Sequence, residues 1–481
     1  MKKRNLIIIY CFIFLLFNAC SLNNSNDGLS QIIDENTFID DSGKKSVVEV
    51  PYEKIICLYS AHTENLFALG VGDKIIGVNN TSIYPPAAAF LPRYDYKADP
   101  EPLIAAQPDI VIIRPFVERN YPDYIKAIKN AGINVVSLYP STNEDFEKYI
   151  KILAMLTGSE AKAEEELAKL EQRIVNIEEK ICNVKDKLTV YFESTKTNYR
   201  TITIDSNPAR AIVSAGGINI ADDVTPIEKG STIAEYGIEK LMINAENIDV
   251  YVSQRGAMNS GGSMISIPQR EGFTSIKAVR EGRILEINEK IISSPTFRYY
   301  KGVKEIARML YPEIMDDYSV YESDEPLTRE IYSIITVMFD HAPIFVPSSS
   351  HYYESEYYNH TYGLFEDVAW DYEYFDYIET AVTNSFIKGY KKDDGTEYFD
   401  KVGYVNRENL AFTLYIMGEF NTMENHEVIS DINQCSNATI VQKIVDNGIM
   451  KVDENDNFNP KKIVSANEAI EVFERLKLYE K

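Results

Sequence analysis

Arginines and tyrosines recur in the segments that come after short apolar runs. Tyr59 and His62 come after Ile55–Leu58, and Arg114 and Arg119 after Asp109–Ile113. Tyr199 and Arg200 come after Leu188–Phe192, Arg255 and Met258 after Ile248–Val252, and Arg298 lies beyond Pro295. Guanidinium forks pair with carboxylates and other oxygens, and tyrosine rings cover flat faces. This is the chemistry of holding an oxygen-bearing, partly flat ligand. Each residue also has a plain alternative: His62 as a surface or hydrogen-bonded residue, Arg114 and Arg255 as surface salt bridges, Met258 as loop packing. Catalytic patterns are missing: there is no G-x-S-x-G, no H-E-x-x-H and no P-loop. Of five histidines, only His62 precedes residue 340.

The elements that would position these residues alternate. Ile55–Leu58, Ile75–Val78, Asp109–Ile113 and Asn134–Leu138 read as strands, with helices over Thr63–Leu69 and Tyr121–Ala131 between them. The pattern returns in Leu188–Phe192, a helix at Ala209–Ala215, then Ile248–Val252 and Ile284–Ile287, closing with a helix at Gly302–Leu310. Strands alternating with helices predict parallel α/β sheets, here in two similar lobes. Between them Leu167, Leu170, Ile174, Ile177 and Ile181 form one apolar stripe at helical spacing. The spacing predicts one long connecting helix over 144–187, with a coiled coil as the alternative.

Several ordered motifs carry a resemblance. They are Phe38–Lys44 with Val48–Pro51, Lys54–Glu64 with Ala68-Leu69-Gly70, and Asp99-Pro100-Glu101-Pro102-Leu103 with Gln107–Val111. In the second lobe Ala215-Gly216-Gly217-Ile218-Asn219-Ile220-Ala221, Tyr236–Leu241, Ile276–Arg283 and Tyr311-Pro312-Glu313 continue the series. Over roughly residues 36–313 the chain resembles the helical-backbone (class III) substrate-binding proteins. These serve ABC importers for cobalamin, haem and ferric siderophores. The resemblance implies a ligand cleft between the lobes, at the carboxyl ends of the strands. Tyr59, His62, Arg114, Arg119, Tyr199, Arg200, Arg255, Met258 and Arg298 are the expected contacts, and Tyr or His can ligate haem iron directly. It also implies that Glu101 and Glu239 pair with arginines of a permease. The alternative for both is an acid favoured by a helix N-terminus.

The N-terminus looks like an export signal. Lys2, Lys3 and Arg4 precede an apolar run from Leu6 to Phe17 that is too short to span a bilayer. Ala19-Cys20 followed by a polar run resembles a bacterial lipoprotein signal, which implies an acylated Cys20 as membrane anchor. Simple cleavage, or retention as a helical anchor, are the alternatives. Cys57, Cys182 and Cys435 are widely spaced, so neither a disulfide framework nor a zinc knuckle is expected, and buried free thiols are.

Charge divides the chain. The net charge is −24, which argues against binding nucleic acid through phosphates. Residues 314–481 hold 32 acids and 13 bases, a balance of −19, together with 16 of the 33 tyrosines and the only tryptophan. A shift of 59 residues pairs Gly389 with Gly448, Phe399 with Phe458 and Val405 with Val464. The two copies, Phe365–Glu408 and Asp431–Glu468, resemble S-layer homology repeats. Leu327-Thr328-Arg329-Glu330 reads as the end of an earlier copy. The resemblance implies attachment to wall polysaccharide, with Trp370, Arg407 and Glu468 as candidate contacts. A helical module without a sugar site is the alternative. Asp453–Asn457 starts like a calcium loop, but Phe458 stands where the loop needs glycine.

The expected chain is therefore a signal peptide (1–19), a polar tether (20–35), a first α/β lobe (36–143), a connecting helix (144–187), a second α/β lobe (188–313), a linker (314–326) and a mainly α repeat module (327–481). The expected function is capture of a metal chelate, with no cofactor and no catalysis. Alternatives are a surface adhesin that keeps the fold without transport, and an esterase acting on the chelate.

Overall fold

A computed structural model describes residues 30–346 and 365–479, apart from 141, 229–230 and 260. The signal segment and Cys20 lie outside the described residues.

An antiparallel unit comes first: β1 (Gln31–Asp34), β2 (Thr37–Ile39) and β3 (Lys45–Val47). Asp40 ties its turn to the first lobe. One carboxylate oxygen accepts from the Ser42 and Lys44 N–H groups, and the other accepts from Ser137 N–H at 3.0 Å.

The first lobe runs β4 (Ile55–Cys57), α1 (Ser60–Ala68), β5 (Ile75–Val78), α2 (Glu101–Ala105), β6 (Ile110–Ile113), α3 (Pro115–Asn120), α4 (Pro122–Asn130) and β7 (Asn134–Ser137). The sheet order is β5-β4-β6-β7, all parallel. Every residue of β4 and β6 is buried, as expected for strands covered on both faces.

The connection differs from the single helix expected over 144–187. It is two helices, α5 (Asn143–Thr157) and α6 (Glu160–Ile181). Gly158 stands between them with φ 70°, a left-handed conformation that ends α5. Ala163, Leu170, Ile177 and Ile181 form the buried stripe of α6. Its upper half packs into the first lobe's core and its lower half into the second's. At about 1.5 Å per residue α6 is about 33 Å long, enough to serve both lobes.

The second lobe holds β8 (Thr189–Glu193), β9 (Arg200–Ile202), α7 (Asn207–Ser214), β10 (Ile218–Asn219), β11 (Ile233–Glu235), α8 (Ile238–Ile243), β12 (Val250–Arg255), α9 (Lys277–Arg280), β13 (Ile284–Asn288), α10 (Glu289–Ile292), α11 (Tyr299–Leu310) and α12 (Pro312–Met315). Its main sheet is parallel, in the order β10-β8-β12-β13. The expected buried thiols are found only in part. Cys57 is buried, Cys435 is half-buried, and Cys182 is exposed because it caps the end of α6 outside the apolar stripe.

The C-terminal module packs α13 (Arg329–Phe339), α14 (Phe375–Thr383), α15 (Arg407–Met417), α16 (Ala438–Asp446) and α17 (Ala466–Tyr479) around one apolar core. A hairpin of β14 (Tyr390–Lys391) and β15 (Glu397–Tyr398) turns at Asp394-Gly395. Three residues close a ring at the centre. Leu327 N–H donates to Val464 O at 2.9 Å, Val464 N–H to Val405 O at 3.0 Å, and Val405 N–H to Leu327 O at 3.0 Å. Leu327 is thus the third equivalent of the two valines paired by the 59-residue shift. Arg329 and Arg407, each two residues further on, donate Nε–H to the carbonyls of Phe399 and Phe458 at 2.9 and 2.7 Å. Asp453 closes its own loop, accepting from the N–H groups of Asn455 and Asn457.

The module sits against both lobes. Trp370 meets the ring of Tyr84 in the first lobe edge-on, with centroids 5.9 Å apart. On α11 of the second lobe, Lys301 pairs with Asp376, and Lys304 Nζ donates to Tyr377 Oη at 2.6 Å.

Candidate functional site

The two parallel sheets point their carboxyl ends at each other, and the cavity between the lobes has a volume of about 370 Å³. It lies where open α/β sheets bind ligands, because the strand ends there leave loop side chains free to converge. From the first lobe come Tyr59 after β4, Arg114 after β6 and Tyr139 after β7. From the second come Gln254 at the end of β12, Met258 just after it, and Glu289 and Lys290 after β13.

Arg114 is the focus. Its guanidinium carbon lies 4.7 Å from the centre of the Tyr59 ring and 4.9 Å from that of Tyr139. The two rings are themselves 6.1 Å apart, so the cation is held between aromatic faces. Its Nε is buried without a hydrogen-bond partner. Glu289 faces the same cavity, with Oε2 likewise buried and unpartnered. Lys290 donates to Ser60 Oγ across the lobes at 3.0 Å, and burial lowers its pKa. Burial raises the pKa of Tyr59, keeping the phenol protonated. The cavity therefore offers an aromatic-framed cation and an unpaired acceptor to a ligand bearing both oxygens and donors.

Of the nine residues expected in the cleft, the structure brings three to the cavity: Tyr59, Arg114 and Met258. His62 is fully buried beneath it. Its Nε2 is 3.2 Å from Ile113 O, which can only accept, so Nε2 carries the proton and Nδ1 accepts from Tyr149 O–H at 2.7 Å. Burial pushes the His62 pKa down to about 3. Here the plain alternative, a hydrogen-bonded residue, describes the geometry. Arg119 is exposed near the end of α3, on a face that does not line the cavity. Tyr199 packs on Phe273, 5.6 Å between centroids, and Arg200 and Arg255 pair with Glu235 and Glu286. Arg298 binds Glu64 of the other lobe through two bonds, at 2.6 and 2.7 Å.

Tyr139, Glu289 and Lys290 were not expected from the sequence. The signal was available: Tyr139 lies just past β7, and Glu289 and Lys290 just past β13. The strand-end rule covers these positions as well as the ends of β4, β6, β8 and β12.

Glu101 and Glu239 are exposed in the first turns of α2 and α8, one on each lobe. In the module, Arg407 donates to Phe458 O and Lys451 O and pairs with Glu468, while Trp370 packs on Tyr84. The polar groups of this candidate glycan set are engaged within the protein, because they hold repeat to repeat and module to lobe. Among the described residues, no group of three or more His, Cys, Asp or Glu is placed to hold a metal ion.

Residues 55–291 match the periplasmic binding protein family, and residues 428–465 match the S-layer homology domain. The chain is 23% identical over 278 residues to an uncharacterised ABC transporter substrate-binding lipoprotein of Bacillus subtilis, covering 57% of this chain and 85% of the relative. It is 22% identical over 263 residues to a vitamin B12-binding protein of Vibrio cholerae, covering 54% of this chain and 90% of that one. Among solved structures, a possible iron-binding (periplasmic solute-binding) protein from Staphylococcus epidermidis shares 24% identity. The match has a TM-score of 0.48 and covers 55% of this chain and 100% of that one. Over residues 55–291 the chain is thus similar to the periplasmic binding proteins, and its two parallel α/β lobes joined by α6 have the helix-backboned layout of class III, while residues 428–465 are similar to the S-layer homology domain.

Proposed function

We propose that the protein captures a metal chelate of the cobalamin, haem or ferric-siderophore class in the interlobe cavity and delivers it to an ABC permease. The observation that carries this reading is Arg114, which lines the cavity framed by Tyr59 and Tyr139 with a buried donor left unpaired. A guanidinium in that setting pairs with a carboxylate or phosphate of the chelate, while the rings cover its flat part. Gln254 and Glu289 complete the polar side from the second lobe. The family is one of binding proteins, which favours capture over catalysis. Titration of the purified protein with cobalamin, haem and ferric siderophores, followed by absorbance and calorimetry, tests the reading. Saturable 1:1 binding of one of them supports it, and failure to bind any of them favours an adhesin that keeps the fold. Turnover of the chelate would point instead to the esterase.

Delivery rests on Glu101 and Glu239, one exposed acid in the first turn of a helix on each lobe, which would pair with basic residues of two membrane subunits. The double change Glu101→Ala/Glu239→Ala should abolish uptake and leave ligand affinity intact; unchanged uptake would remove the assignment. Anchoring rests on Cys20, and a Cys20→Ala protein that stayed fully in the membrane fraction would remove it. The S-layer homology region suggests a second attachment, to wall polysaccharide. Retention of the protein on purified sacculi, against none on sacculi stripped of polysaccharide, is the expected result.

A further inference from the structure

A second cavity, of about 660 Å³, lies beside the connecting helices. It spans the lobes: Phe146 of α5 and Leu167 and Ile174 of α6 form one wall, and Pro295, Thr296 and Tyr299 of the second lobe the other. It does not belong to the ligand cleft, although Asn207 lines both.

Two features mark it as more than a packing defect. Thr296 is only 1% exposed, yet its Oγ1 has no hydrogen-bond partner. Asn207 Oδ1 is also buried and unpartnered. A buried hydroxyl or amide left unpaired costs free energy, so two at one cavity indicate groups a ligand would satisfy. The second feature is charge. Glu147, Glu164, Glu171 and Glu178 line the cavity against a single base, Lys151, which pairs with Glu147. Glu164 and Glu171 are seven residues apart, hence on one side of α6, and neither pairs with a base among the described residues.

We propose that this cavity is a binding site for a small organic cation with an apolar body, such as an alkyl- or arylammonium. The apolar part lies along Leu167, Ile174 and Phe146, the charged head meets Glu164 and Glu171, and a donor on the ligand satisfies Asn207 Oδ1. The volume suits such a molecule. The site is independent of what the cleft binds.

Calorimetry on the full chain with decylammonium, below its micelle concentration, tests this against decyl sulfate and decanol. The expected result is 1:1 binding of the cation, at least ten-fold tighter than either control and weaker in high salt. Glu164→Gln/Glu171→Gln should weaken it roughly three- to ten-fold, the range for two solvent-facing ion pairs. Ala168→Trp, at an exposed lining position that tolerates a large side chain, should block it. Absence of binding, equal binding of decyl sulfate, or undiminished binding in the Ala168→Trp protein would each overturn the proposal.

Discussion

Arg298 of the second lobe grips Glu64 of the first through two parallel N–H···O bonds, Nε to Oε1 at 2.6 Å and Nη2 to Oε2 at 2.7 Å. Both residues are buried, and the guanidinium also lies 3.6 Å from the centre of the Tyr84 ring. Asn65, next in α1, adds a bond from Nδ2 to Pro295 O at 2.9 Å. The lobes are thus tied beneath the cleft by a charged strap as well as by α6. Such a joint allows small closure and opposes wide opening.

Removing one partner leaves a buried charge unpaired. Arg298→Met should cost about 3–5 kcal/mol in chemical denaturation. The double change Glu64→Leu/Arg298→Met should cost less than the sum of the two single changes, the signature of direct coupling. Additive losses would show that the two residues act separately.

The module is held by Lys301 and Lys304, both packed against it. Burial works against the charge of both, yet Asp376 and Tyr84 raise the pKa of Lys301, and Tyr377 does the same for Lys304. Asp376→Asn should lower the melting temperature and loosen the module. Trp370, the only tryptophan, reports this directly through its contact with Tyr84. Its emission should shift to the red in the variant, and an unchanged spectrum would contradict the docked arrangement.

Stability should fall in acid on account of His62. Its pKa is about 3 when folded, against the ordinary 6.5, so the unfolded chain binds the extra proton between those values. The contribution is complete above pH 6.5. It is lost as the pH falls toward 3, at up to about 1.4 kcal/mol per pH unit. Protonating Nδ1 would also destroy its acceptor role toward Tyr149. A His62→Gln protein should show a flatter stability curve between pH 6.5 and 4; an identical acid limb would assign it to other groups.

The repeat ring makes Arg329 and Arg407 structural equivalents. Arg329 is buried, donates to Phe399 O and Lys388 O, and lies over the Phe399 ring. Arg329→Met should destabilise the module by about 2–3 kcal/mol, because one buried and one part-buried carbonyl lose charged donors. Arg407→Met should cost less, since Arg407 Nη2 donates to a more exposed carbonyl. The reverse order in thermal unfolding would contradict the pairing.

The alternating strands and the stripe on α6 were legible because burial on both faces, or on one, imposes a period on the sequence. The break at Gly158 was visible as a glycine, but only φ shows that it ends a helix there. The cleft was half legible. Chain order shows which residues come after a strand, and that is enough to find Tyr59, Arg114 and Met258. It does not show direction, so His62, in the first turn of α1, was grouped with Tyr59 although its ring turns into the core toward Tyr149. Arg298 was placed among ligand contacts because its partner, Glu64, lies 234 residues away in sequence. The third repeat equivalent, Leu327, showed as a fragment, and only the hydrogen-bonded ring establishes its place.

The central claim is that the interlobe cavity holds the cargo through Arg114. Its most direct test is the dissociation constant of the chelate that binds, measured for the natural protein and for Arg114→Ala. The account predicts a loss of at least ten-fold, with the melting temperature of the unliganded protein nearly unchanged, since the Arg114 guanidinium makes no ion pair among the described residues. Equal affinity in the two proteins would contradict it.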